Sequence, residues 1–262
     1  MVHLPSFTVW GTEMSCSFPR EILDLIIDQL HDEPQALKSC CAVSKAWIYR
    51  TQKHLFNHVK FQDRHVSQWR ETFPNPLGSP AHNTRILSIG LTGPATDADA
   101  DTFLAFRRVS HLNVDTTRQY DQELSLVPFH GISPTVRSLH LSFSRISNSE
   151  IFGLICSLPL LEDLALVCRG PRNRYEAWTI PPTSPRLIGS LELHMVGIQT
   201  IASGLLDLPN FLCSRRIAVE WIFPSDVGST MDLMSRCSDT LESLEITNCL
   251  TGVSPWTMLF DR

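Results

Sequence analysis

Charge is scarce in this sequence of 262 residues: Asp, Glu, Lys and Arg make up 19% of it, and the formal net charge is -5. That balance argues against the basic footprint by which a protein grips nucleic acid along its phosphates. None of the 8 cysteines forms a C-x-x-C pair, so the chain carries neither paired zinc ligands nor a dithiol redox motif of that kind. It has no N-x-[ST] sequon and no charged-then-apolar leader over Met1–Cys16. No apolar run approaches the roughly 20 residues of a membrane span, and Phe260-Asp261-Arg262 is no prenylation box. Several cysteines lie inside apolar runs, where a free thiol behaves as a small hydrophobe. The expectation is an intracellular protein, cytoplasmic or nuclear, with reduced thiols and with neither membrane nor nucleic acid as partner.

Catalytic signatures are missing too. There is no G-x-S-x-G elbow, no H-E-x-x-H, no P-loop and no G-x-G-x-x-G. Asp97-x-Asp99-x-Asp101 imitates the start of a calcium loop. Its sixth position holds Thr102 where Gly is needed, and its twelfth holds Arg108 where Glu is needed. These acids read better as the start of a helix. His54 and His58, four apart, could share a helix face, but Cys40-Cys41 lacks the spacing to complete a zinc set. No cofactor, no metal and no catalytic residue is expected.

What the chain does have is a hydrophobic content of 43%, enough for a packed core, and a period. The pattern apolar-x-x-Leu-x-apolar recurs as Val109-x-x-Leu112-x-Val114, Val136-x-x-Leu139-x-Leu141, Leu161-x-x-Leu164-x-Leu166, Ile188-x-x-Leu191-x-Leu193 and Leu241-x-x-Leu244-x-Ile246. Leu87-x-Ile89 and Ile217-x-Val219 are weaker copies, and Val59-x-Phe61 lies one further step back. Alternation within each copy marks a half-buried strand. Between the strands come short returns. Ser147-Asn148-Ser149-Glu150 has the form of a capping box before Ile151, Leu154, Ile155 and Leu158. Thr102–Arg108, Ile201–Leu206 and Thr230–Cys237 are shorter helix candidates. Each unit has an apolar side that it cannot bury alone, and stacking the units buries it as a continuous core under a parallel sheet. An ordinary α/β domain with chance spacing is the alternative.

From Val59 to about Leu250 this pattern resembles the leucine-rich repeat family. The family's Asn or Cys three residues past the last strand position is matched only by Cys249, so the turns after the strands are expected to be irregular. Two Pro-rich stretches interrupt the repeats. One lies within Glu71–Asn83. The other, Arg169–Arg186, is either a protruding binding loop or a non-helical return.

The first part of the chain has a different rhythm. Ile22, Leu23, Ile26, Ile27 and Leu30 form one wide apolar helix face after Pro19. Asp32-Glu33-Pro34 closes that helix and opens a second, with Leu37, Cys40 and Cys41. Ser44 can cap a third that carries Trp47, Ile48, Leu55 and Phe56. Three short amphipathic helices have little area for a core of their own. The run Phe18-Pro19-x-Glu21-Ile22-Leu23, then Ile26, Ile27, Leu30, Leu37 and Val43-Ser44-Lys45-x-Trp47, resembles the F-box family; any small three-helix bundle is the alternative. The whole chain is similar to the F-box proteins with degenerate repeats found in large sets in fungi.

The fold class expected is therefore α/β: a tail at 1–17, a short three-helix F-box at 18–58, a curved leucine-rich-repeat solenoid with a parallel sheet at 59–250, and a tail or cap at 251–262. The resemblance implies the substrate-recognition subunit of an SCF-type ubiquitin ligase, with a Skp1-like adaptor and an unidentified target protein as partners. Carried over by motif, the adaptor-binding residues are Phe18, Pro19, Ile22, Leu23, Ile26, Val43 and Trp47. Side-chain alternation in the strands turns His111, Asn113, Asp115, Ser138, His140, Ser142, Asp163, Ser190, Glu192, His194, Arg216, Glu220, Ser243, Glu245 and Thr247 outward, an acidic face with histidines that is either a recognition surface for a basic or polar target segment or only the polarity of any solvated sheet face. An F-box interaction scaffold without a role in ubiquitination, and an enzyme on an α/β fold, stay open as alternatives. The last apolar residues, Trp256, Met258, Leu259 and Phe260, either fold back over the final repeat or belong to a shortened relative of a longer chain.

Overall fold

The structure, a computed structural model, describes residues 19–62, 65–90, 96–116, 125–132, 134–144, 146–168, 184–194, 198–209, 211–220 and 226–247. Phe18, most of the Arg169–Arg186 stretch, Cys249 and the apolar residues after Thr247 lie outside them. The chain divides into two compact units, Met1–Leu55 and Phe56–Arg262.

The first unit holds three helices, α1 (Arg20–Gln29), α2 (Pro34–Val43) and α3 (Lys45–Leu55). Pro19 precedes α1, and its carbonyl accepts from the Ile22 and Leu23 amides at 3.0 and 3.3 Å. Pro34 stands at the first turn of α2, where a missing N–H costs nothing. Ser44 starts α3, its hydroxyl accepting from Ala46 N at 3.3 Å. α3 packs against both other helices. Asp28 of α1 ties it to α3: Arg50 Nε donates to its carboxylate at 2.7 Å, and His54 Nε2 lies 2.7 Å from the same oxygen. The Arg50 hydrogen bonds, helped by His54 and opposed by desolvation, hold the Asp28 carboxyl well below the usual carboxylate range.

The expected reach of α3 needs correction. The helix ends at Leu55, and Phe56 belongs to the second unit, edge-on to Trp69 with ring centroids 5.8 Å apart. His58 lies in a strand, so it shares no helix face with His54.

The second unit is mixed α/β. Its strands are β1 (His58–Gln62), β2 (Ile86–Gly90), β3 (His111–Asp115), β4 (Ser138–Phe143), β5 (Asp163–Cys168), β6 (Ser190–His194), β7 (Arg216–Glu220) and β8 (Ser243–Thr247), paired in parallel in chain order. Val59, Leu87, Leu112, Leu139, Leu164, Leu191, Ile217 and Leu244 stand side by side in register. These residues and those two positions later turn into one continuous core. The other side of that core is supplied by α4 (His65–Thr72), α5 (Asp97–Phe103), α6 (Asn148–Cys156), α7 (Gln199–Asp207) and α8 (Val227–Arg236). At the β1 end the core is aromatic: Phe61 meets Trp69 and Phe106, each at 5.6 Å. Among the described residues no helix is long and apolar enough to cross a membrane, and the six described cysteines are free thiols.

Three local expectations differ from what is found. The helix expected at Thr102–Arg108 lies earlier, because Thr96 and Asp99 cap each other: Asp99 N donates to the Thr96 hydroxyl at 3.2 Å, and Thr96 N to the Asp99 carboxylate at 2.9 Å. Asp99 is thus a helix-start acid. The Ser147 box is half formed: Glu150 N donates to the Ser147 hydroxyl at 3.2 Å, but the Glu150 carboxylate accepts from Leu126 N at 2.6 Å instead. The first apolar position of the β6 copy is filled by Leu187, fully buried and bridged to Leu212, while Ile188 is 41% exposed. Gly189 follows the shifted pair. It lies so close under β5 that an added Cβ would stand 3.0 Å from both Asp163 Cγ and the Glu162 carbonyl.

Candidate functional site

The first candidate surface belongs to α1. An α-helix can turn only part of its circumference to a partner, and this one carries apolar side chains around most of it. Ile27 is buried, and Leu23 and Leu30 are half-buried. Ile22 and Ile26 are left 43% and 51% exposed, with Leu25 more exposed still. Three and four residues apart, these side chains are neighbours on one face. Leu25 was missed in the sequence, although its spacing from Ile22 gives it away. Pro19, at the start of the same face, is exposed. Val43, the last residue of α2, is 69% exposed, and Trp47 is half-buried in α3. Tyr49 is a further exposed large side chain of this unit that sequence reasoning did not select.

The second candidate surface is the face of the sheet turned away from the core. Strand register sets its side chains in rows. The middle row reads Lys60, Ser88, Asn113, His140, Ala165, Glu192, Ala218 and Glu245 from β1 to β8. The row after it contains Asp115, Ser142, Val167, His194, Glu220 and Thr247. His111 and Arg216 are in the row before and are exposed. Every target-binding candidate named above therefore falls on this face. Ser142 is a correction in part: it is buried at 6% exposure, and its carbonyl accepts from Thr116 N at 2.8 Å.

Most polar side chains of the face are already held by the sheet itself. Asn113 Nδ2 donates to the Ser88 hydroxyl at 3.1 Å, and His58 Nε2 is 3.0 Å from the same oxygen. His140 Nε2 lies 3.1 Å from the Ser142 hydroxyl. Asp163 accepts from Ser190 N at 2.7 Å and from the Ser190 hydroxyl at 2.9 Å, so its carboxylate joins β5 to β6. His194 stands between two carboxylates, with Nδ1 2.7 Å from Glu220 and Nε2 3.7 Å from Glu192. Arg216 donates to Glu245 at 3.0 Å. Such cross-links fix rotamers before any partner arrives, which removes part of the ordering cost of association. The β6–β8 part of the face carries Glu192, Glu220 and Glu245 against Arg216 alone among the permanent cations.

Chemistry beyond recognition finds no assembly here: among the described residues no group of three or more His, Cys, Asp or Glu side chains is placed to hold a metal ion. Burial pushes the Cys156 thiol up to about 11, the direction of an inert structural cysteine rather than a nucleophile. No protein-family model matches the chain, and no curated protein matches it.

Proposed function

We propose that this chain is the substrate-recognition subunit of an SCF-type ubiquitin ligase. In this reading the three-helix unit is an F-box that docks on a Skp1-type adaptor, and the second unit is a degenerate leucine-rich-repeat solenoid that holds a target protein. The observation that carries the reading is the uncovered apolar face of α1, where Ile22, Leu25 and Ile26 stand together in solvent. A contiguous apolar patch on a small helical unit marks a partner surface. It falls on the same helix as the Pro19-x-Glu21-Ile22-Leu23 motif. The second unit supports the reading through eight parallel strands in chain order. Such a stack presents a broad polar face.

The chain's part in the reaction is then positioning. Its two faces hold adaptor and target in one assembly and raise the effective concentration of the target beside a ubiquitin-loaded enzyme. The glutamates of the β6–β8 face favour a target segment rich in Lys or Arg. Binding isotherms between the full chain and a Skp1-type adaptor test the first half. One buried anchor of about 2 kcal/mol corresponds to about thirtyfold in affinity. The double variant Ile22→Ala/Ile26→Ala should therefore weaken adaptor binding at least about thirtyfold with the circular dichroism unchanged. Wild-type affinity in a folded double variant would sink the F-box reading. Adaptor binding without ubiquitin transfer in the reconstituted complex would leave an interaction scaffold instead.

A further inference from the structure

The sequence is uneven in its amines. Its lysines are Lys38, Lys45, Lys53 and Lys60, and from Phe61 to Arg262 there is none, against sixteen arginines. At ordinary usage a stretch of that length would hold roughly a dozen lysines. At seven of the described positions burial does not call for arginine. Arg85, Arg108, Arg137, Arg186, Arg215, Arg216 and Arg236 are all exposed. Where such arginines pair, as Arg216 with Glu245 at 3.0 Å and Arg215 with Glu242 at 3.8 Å, they do so at the surface. A lysine serves a surface pair of that kind about as well, and the pair contributes little in either form.

The two cations differ in chemistry. A lysine amine can lose its proton and attack a thioester: the Nζ–C bond to the terminal glycine carbonyl of ubiquitin forms, the C–S bond to the carrier cysteine of the conjugating enzyme breaks, the thiolate leaves and the amine gives up a proton. An arginine guanidinium stays protonated in proteins and offers no lone pair for that attack. The second unit thus keeps its positive charge and lacks the acceptor. Lys60 is the exception. It is exposed on β1 at the edge of the polar face, in the same row as His140 three strands away, which is about 14 Å at the usual strand spacing.

Resting on the ligase reading, we infer that Lys60 is the single ubiquitin acceptor of the sheet unit, and that the absence of lysine from the rest of this unit directs transfer to the bound target instead of the receptor. The test uses the full chain assembled with its adaptor, the remaining ligase subunits, ubiquitin and a ubiquitin-loaded conjugating enzyme, with Gly-Gly remnants mapped by mass spectrometry. Within the sheet unit, remnants should occur at Lys60 and disappear in Lys60→Arg. The triple variant Arg108→Lys/Arg137→Lys/Arg236→Lys, checked for unchanged circular dichroism, should gain remnants at the substituted positions and raise self-conjugation of the sheet unit at least threefold. An active complex that leaves Lys60 unmodified overturns its role as acceptor. An active complex in which the triple variant gains nothing overturns the inference about lysine exclusion while the ligase reading stands. Failure of the chain to bind the adaptor overturns the ligase reading, and this inference with it.

Discussion

Gly204 of α7 faces the ring of Phe152 on α6, and replacing it with alanine sets two effects against each other. Gly→Ala inside a helix gains about 1 kcal/mol from the backbone alone. The added Cβ, however, would lie 2.5 Å from Phe152 Cε2 and closer still to Cζ. Carbon atoms pack best at roughly 3.5–4.0 Å, so the ring or the helix must retreat by about 1 Å. Phe152 is fully buried, so a displaced ring has to push into packed neighbours. Overpacking of a filled core costs about 1–3 kcal/mol, and a displacement this large belongs at the top of that range. The net expectation for Gly204→Ala is a loss of about 2 kcal/mol. For a unit of this size that lowers Tm by roughly 4–8 °C. Thermal and urea unfolding followed by circular dichroism measure it. In a Phe152→Leu background, where the offending ring atoms are gone, the same substitution should keep the backbone gain of about 1 kcal/mol. The coupling in a double-mutant cycle should then be about 3 kcal/mol. An unchanged or raised Tm for the single variant, or simple additivity in the cycle, would refute the argument that α6 and α7 are in contact through a bare glycine.

Three further outcomes are expected. Leu164→Ala, at a fully buried position of β5, should destabilise the second unit by about 2–5 kcal/mol in urea unfolding. Glu192→Ala/Glu245→Ala should leave Tm within a degree or two, since both side chains are solvated at 33% and 48% exposure; capture of a basic target segment should weaken, and adaptor affinity should not. Because the folded Asp28 carboxyl is held below its unfolded value of about 3.9, its tie between α1 and α3 is at full strength above that pH and fades as pH falls below it. Protection of the α1 amides from hydrogen exchange, relative to their intrinsic rates, should fall below about pH 4, and Asp28→Asn should flatten that dependence.

Strand positions in the second unit were legible because the signal repeats. A lone alternating stretch is ambiguous, but Leu112, Leu139, Leu164 and Leu191 recur at a spacing that parallel neighbours require, and each pairs with the next. The returns were less legible. Their geometry is set by single contacts between consecutive units, such as Glu150 reaching Leu126 N or Gly189 passing beneath β5, and sequence spacing carries no trace of those. The same holds for Ile188, where a one-residue slip exchanged the buried and exposed roles of adjacent apolar residues. On the candidate surfaces, alternation told which side chains of the sheet face outward. It did not tell that Asp163 spends its carboxylate on Ser190, or that His194 lies between two glutamates. For α1 the apolar content was plain, and which part of it stays in solvent depended on where α3 packs.

Strand order that follows chain order has an evolutionary and kinetic side. Leu139 finds its partners at Leu112 and Leu164 and nowhere more distant in the chain. A disturbance in one turn of the array is therefore felt by the turns on either side and decays beyond them. Folding can begin at any strong pair and spread in both directions, with only short loops to close at each step. A whole turn of about 26 residues could be duplicated or lost with both neighbouring edges still matching, whereas a change of a few residues must be absorbed by a return. The length of the polar face can thus drift between descendants of such a gene while the rule that builds it stays the same.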